Sequence, residues 1–277
     1  MKIFKKTGFV ILLFSILTSF SKKEIQWVAI GDSITYLNEH PNETGNRVTK
    51  GYLTMVSEQL PNVHYVNKGY NGWTAVAIAT KIEDLGITKA DVYSILLGTN
   101  DWHQGKTLGS FNDYKNNTGT GTVNGSFRII INKIHSLNPA AKIILLTPLQ
   151  RTDFVQVANF KNNAYGSYRE NNGQMLSQFA AAIDSIANYE DCELIDLYHL
   201  KILSIPKLVK YKRLKDTGTG TYKNFKYPAY INVPFNPETD EYPYPLDAIG
   251  MTYDGLHPSE KGNEIIASKL VKIFKHF

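Results

Sequence analysis

The stretch VAIGDSITYL, residues 28–37, opens as a strand and breaks off at Gly31, Asp32 and Ser33. Val28, Ala29 and Ile30 form a continuous apolar run, as in a strand buried on both faces of a sheet. Such a strand needs neighbours. IQWVAIG (25–31), VHYVNK (63–68), DVYSILLG (91–98), AKIILLT (141–147) and CELIDL (192–197) share its character. Between them, apolar residues recur at helical spacing. Tyr52, Val56 and Leu60 mark one such segment, and Val76, Ala79 and Ile82 the next. Phe127, Ile130, Ile131 and Ile134 mark a third, and Met175, Phe179 and Ile183 a fourth. The last carries Ile265, Ile266, Leu270, Ile273 and Phe274, and it opens with Pro258 and Ser259, which favour a helix start. Strand and helix alternating in this way imply right-handed crossovers and a parallel sheet covered on both faces. The expected fold class is α/β: a three-layer α/β/α sandwich of flavodoxin-like type around a five-stranded parallel sheet.

The chain has 277 residues, 43% hydrophobic and 20% charged, which is ordinary for a globular protein. One domain over 24–277 is expected, with a long loop insertion at about 206–253 that is rich in Tyr and Pro. A second long loop, 103–125, is rich in Gly, Asn and Thr. Both contain TGTGT, at 118–122 and 217–221; chance or shared loop chemistry explains the echo better than a repeat. The N-terminus differs from the rest. Lys2, Lys5 and Lys6 precede an apolar run from Phe9 to Leu17, then small polar residues follow. That is the layout of a secretory signal peptide over 1–23, with Ser21 a cleavage position, and it predicts export to the periplasm or the exterior. The run is short for a membrane span, so no stable insertion is expected after cleavage; an uncleaved anchor is the competing reading. The formal charge is +5, and Lys2, Lys5, Lys6, Lys22 and Lys23 lie in or beside this segment. The remainder is near neutral and makes no electrostatic case for a nucleic-acid partner. The single cysteine, Cys192, cannot form an internal disulfide and reads as a buried apolar filler.

In open parallel sheets, ligands bind beyond the carboxyl ends of the strands. After the first strand comes Gly31-Asp32-Ser33, after the second NKGYNGWT (67–74), and after the third GTND (98–101). These loops converge on one edge. Just before the last helix comes DGLHPS, with Asp254 and His257 three residues apart. A serine hydroxyl needs a base to become a nucleophile. His257 is the candidate base for Ser33, and Asp254 the carboxylate that fixes its tautomer. His103 is the rival base, without a carboxylate at matching spacing. The backbone N–H of Ser33, the N–H of Gly72 and the side-chain amide of Asn100 are candidate oxyanion donors. Asp32 and Asp101 are read as supports whose carboxylates tie down backbone N–H groups of neighbouring loops. Trp73, Trp102 and His103 are candidate substrate contacts, with packing at the sheet edge the alternative for the two tryptophans. No His-x-x-x-His pair or phosphate-binding glycine loop occurs, so neither a metal nor a cofactor is expected.

The four pieces together resemble the blocks of the SGNH, or GDSL-type, serine hydrolase superfamily. GDS (31–33) resembles block I, the Asn-x-Gly-x-x-Gly of 67–72 block II, GTND (98–101) block III, and DGLH (254–257) block V. The resemblance spans 28 to 276 and implies a serine esterase or lipase. It assigns Ser33 as nucleophile, Gly72 and Asn100 as oxyanion donors, and Asp254 and His257 as the rest of a triad. Export and the aromatic loops make an acylated carbohydrate the first substrate expectation, as for a carbohydrate esterase or deacetylase. The partner is then a small-molecule or glycan ester. A lipase or thioesterase is the alternative within the class. Outside it stand a glycan-binding protein without turnover and a metal-dependent phosphodiesterase using Asp32, Asp101, Asp254 and His257.

Overall fold

The computed structural model of the protein describes residues 22–277. Most of the segment read as a signal peptide, residues 1–21, lies outside the described residues. In chain order the strands are β1 (Ile25–Gly31), β2 (Val63–Gly69), β3 (Val92–Leu96), β4 (Lys142–Leu146), β5 (Phe154–Gln156), β6 (Asn159–Ala164), β7 (Glu193–Ile195), β8 (Lys212–Lys215) and β9 (Tyr222–Phe225). The helices are α1 (Ser33–Tyr36), α2 (Tyr52–Gln59), α3 (Ala75–Thr80), α4 (Thr99–His103), α5 (Phe111–Lys115), α6 (Val123–Leu137), α7 (Leu176–Glu190), α8 (Ile205–Leu208) and α9 (Glu260–Phe274).

Five strands form a parallel sheet in the order β2-β1-β3-β4-β7. Side chains alternate along each strand, so one strand feeds both cores. Val28, Ile30, Tyr93 and Ile95 pack under α3, α6 and α7, whereas Trp27, Ala29, Ile144 and Leu146 pack under α2 and α9. The expected α/β/α sandwich is therefore present. Trp27 is fully buried, with its ring 5.0 Å from that of Phe274 and its indole N–H donating to Ser94 Oγ at 2.8 Å. Truncating such a residue to Ala costs about 3–5 kcal/mol. Helix α9 starts where the sequence places it, with the Ser259 hydroxyl accepting the Gly262 N–H.

Three details depart from the sequence reading. The fifth sheet strand is cut to Glu193–Ile195, because Asp196 turns its carboxylate to the Thr147 hydroxyl at 3.0 Å and the His199 ring at 2.7 Å. Cys192 is only half-buried against the α7 side, and burial pushes its thiol up to about 12. The long loops carry structure of their own. Helix α5 sits in 103–125, started by a Ser110–Asp113 capping box. Within 206–253, β8 and β9 form an antiparallel hairpin, and Tyr230 and Tyr244 are buried with Val155 and Leu214 in a satellite core.

The strand order reverses between β1 and β3, so their carboxyl ends open a crevice. Register puts Gly31 opposite both Gly69 and Leu96. The loops carrying Ser33, Gly72 and Asn100 thus leave the sheet side by side.

Candidate active site

Asp32 follows β1 in an extended conformation and caps α1, its carboxylate accepting the Ile34 N–H at 2.9 Å. Ser33 becomes the first helical residue, where a backbone N–H has no partner within the helix. Its hydroxyl meets His257 Nε2 at 2.8 Å, and His257 Nδ1 meets Asp254 Oδ2 at 2.6 Å. All three residues are buried.

The histidine arrives through a tight turn. The Tyr253 N–H donates to the His257 carbonyl at 3.1 Å, closing 253–257. Inside that turn, Asp254 Oδ1 accepts the backbone N–H groups of Leu256 at 3.0 Å and His257 at 2.8 Å. One carboxylate oxygen therefore holds the turn while the other holds the imidazole. Gly255 has φ +93, and a Cβ there would run into the Asp153 carbonyl and the Tyr244 hydroxyl. The turn is clamped against the segment after β4, with Thr152 N–H on the Gly255 carbonyl at 3.0 Å and Val155 N–H on the Asp254 carbonyl at 3.1 Å. Two rings fix the imidazole further: Tyr253 stacks on it at 5.8 Å, and Phe154 meets it edge-on at 5.5 Å.

The second loop is tied to the first. The Tyr70 N–H donates to the Gly31 carbonyl at 3.0 Å, and Asn67 Nδ2 to the Thr35 carbonyl at 3.0 Å. Gly72 has φ +76, which an L side chain resists, and nothing lies within 4 Å of where a Cβ would be. Its carbonyl accepts Gln104 Nε2 at 2.8 Å. Asn100 Nδ2 donates to the Trp73 carbonyl at 2.9 Å, leaving its second amide hydrogen for another acceptor. A hydroxyl on an oriented imidazole, with donors carried on the neighbouring loops, can serve acyl transfer.

The supporting carboxylates differ. Asp101 accepts the N–H groups of Ala75 at 2.9 Å and Val76 at 3.4 Å, and so anchors the start of α3. That matches the expected tie between loops. Asp32 does not make such a tie, because the side-chain bond it forms is to its own helix. Burial pushes both carboxyls up to about 6. With Asp32, Asp101 and Asp254 each turned onto backbone N–H groups, no three metal-ligating side chains among the described residues are arranged to hold an ion.

Of the expected substrate contacts, Trp102 is corrected. It is 2% exposed, donates its indole N–H to the Gln174 carbonyl at 3.0 Å and belongs to the core. Its apolar ring is worth more under α7 than at the surface. Trp73 is half-buried and stacks on Tyr70 at 4.7 Å. His103 is exposed beside Tyr165 and Asn171, and the Ser33 hydroxyl bonds to His257 instead.

Sequence reasoning missed Arg151, Phe154 and Tyr253. Arg151 is 1% exposed, lies over the Trp102 ring at 5.5 Å and has no protein hydrogen-bond partner for its guanidinium. Burial pulls its pKa down to about 10, against the opposing pull of Asp254 and Asp153. It follows β4, so looking past the carboxyl end of the fourth strand would have found it.

The model of the GDSL-like lipase/acylhydrolase family matches residues 29–265. No curated protein sequence matches the chain. Among solved structures, one described as a possible lipase from Chitinophaga pinensis DSM 2588 is 58% identical, with a TM-score of 0.90, over 91% of this chain and 98% of that one. An acetyl xylan esterase shares the fold at 19% identity and a TM-score of 0.52, over 90% of this chain and 99% of its own. An acetyl-xylooligosaccharide esterase variant from Geobacillus stearothermophilus does so at 20% and 0.52, over 90% and 94%. Family match, sheet order and loop placement coincide, and the chain belongs to the GDSL-like lipase/acylhydrolase family of hydrolases.

Proposed function

We propose that the protein is an exported serine ester hydrolase that removes small acyl groups from carbohydrate. The observation that carries this is the unbroken chain from Ser33 Oγ to His257 at 2.8 Å to Asp254 at 2.6 Å. His257 Nε2 takes the hydroxyl proton as Ser33 Oγ attacks the ester carbonyl. The carbonyl oxygen becomes an oxyanion facing the N–H groups of Ser33 and Gly72 and the Asn100 amide. Collapse expels the alcohol, which leaves with the proton from His257. Water then repeats the sequence on the acyl-Ser33 ester, releasing the acid and restoring the hydroxyl. Asp254 stays ionised and stabilises the imidazolium in both halves.

The cleft favours a small acyl group. The space beside His257 and Asp254 has a volume of about 60 Å³ and is walled by Leu37, Asn71, Phe154 and Tyr253. The exposed Tyr165 nearby offers a face for a sugar. A fluorophosphonate probe is expected to label wild-type protein at Ser33 and to leave Ser33→Ala unlabelled. Hydrolysis by that variant is expected to fall by about 10³-fold or more. Unlabelled wild-type protein, or an active Ser33→Ala, removes the mechanism. Export rests on the basic and apolar N-terminal residues, and no helix among the described residues is long and apolar enough to cross a membrane. Mass spectrometry of protein recovered from outside the cytoplasm is expected to find an N-terminus near Lys22; an intact Met1 contradicts processing.

A further inference from the structure

Beyond Phe154 lies a second cavity of about 410 Å³, within the range of ligand sites. Phe154 walls both this cavity and the small cleft, with its ring edge on His257. The larger space therefore adjoins the cleft at the ring that packs on His257.

The charged groups of that cavity are Asp153, Lys212 and Arg169. Asp153 and Lys212 are already committed to each other. Lys212 Nζ meets Asp153 Oδ2 at 2.6 Å, and Asp153 Oδ1 also accepts the Gly166 N–H at 2.8 Å and the Tyr168 hydroxyl. The Lys212 side chain is 3% exposed and lies over the Tyr230 ring at 5.2 Å. The pair is internal and neutral overall. Arg169 is different. Its guanidinium stacks on Tyr165 at 4.4 Å and donates once, to the Ile231 carbonyl at 3.1 Å. No carboxylate among the described residues pairs with it. One positive charge of the wall is thus unbalanced, on a flat fork held by an aromatic ring. That is the geometry that accepts a carboxylate through two parallel hydrogen bonds. Phe154 and Phe235 supply apolar walls, and Asn232 an amide.

We infer that this cavity receives an acidic sugar, with Arg169 binding the carboxylate of a uronate residue in the glycan that carries the ester. The inference rests on the ester-hydrolase reading and is tested so that the two can fail separately. Hydrolysis of 4-nitrophenyl acetate by wild-type protein reports on the hydrolase reading alone. Acetate release is then compared between acetylated methyl glucuronide and acetylated methyl glucoside. Wild type is expected to favour the uronide by about tenfold or more in kcat/KM, chiefly through KM. Arg169→Gln is expected to bring that ratio to about 1, and Arg169→Lys to leave an intermediate value. Calorimetric titration of wild-type protein with free glucuronate and free glucose gives a readout without hydrolysis and without a variant, and only glucuronate is expected to bind. Active protein with no uronide preference, or glucuronate bound no better than glucose, overturns the assignment. So does a preference for 4-nitrophenyl hemisuccinate over the acetate that Arg169→Gln removes, because the cavity then serves the acyl chain.

Discussion

Asn100 spends one amide hydrogen on the Trp73 carbonyl, and under the proposed mechanism the other is the one that would meet an oxyanion. Asn100→Ala is expected to lower kcat by about 10²–10³-fold with little change in KM, as for loss of one such donor; an equal rise in KM with kcat unchanged would mean ground-state binding instead. Asp32 makes a prediction about pH. Its folded pKa is raised to about 6 from 3.8 by burial, so between these values the native state keeps a proton that the unfolded chain has lost. The stability tied to this group is fully present below pH 3.8 and is lost as pH rises through about 6. Asparagine accepts the same Ile34 N–H without a charge. The Tm advantage of Asp32→Asn over wild type is therefore expected to grow from pH 4 to pH 7, worth about 2–3 kcal/mol. A pH-independent difference contradicts it. At this scale the site was largely legible. Asp254 and His257 sit in one turn, so their partnership is written in local spacing. Arg151, Phe154 and Arg169 were not, because their roles come from residues far away in sequence, such as Trp102, His257 and Ile231.

The sheet strands and the longer helices were legible because burial on both faces and at 3.6-residue spacing leaves an apolar pattern. The β5–β6 hairpin left none. NFKNNA, the sequence of β6, is polar and mostly exposed, so it has no period-2 signal to read. Yet this hairpin sets the shape of the cleft, since Phe154, Gln156 and Asn162 stand over His257 and Asp254. With about 60 Å³ available, a nitrophenyl ester series is expected to peak at acetate and fall steeply towards decanoate. Phe154→Ala is expected to flatten that profile by opening the wall to longer chains. A wild-type rise with chain length would favour the lipase alternative.

On the scale of the molecule, the Ser33 hydroxyl and the His257 imidazole that bonds it come from opposite ends of the described chain, 224 residues apart. Ser33 leaves the first strand, whereas His257 immediately precedes the last helix, whose apolar face is pinned under the sheet by Trp27 and Phe274. Nothing local brings the two together, and only the finished sheet and the docked α9 do so. Under the proposed mechanism, completeness becomes a condition of chemistry. A nascent chain still short of its last segment has a serine without a base, and a chain trimmed at its C-terminus has lost what seats that base. Turnover by this route would thereby report that the segment carrying His257 and the docked α9 are in place.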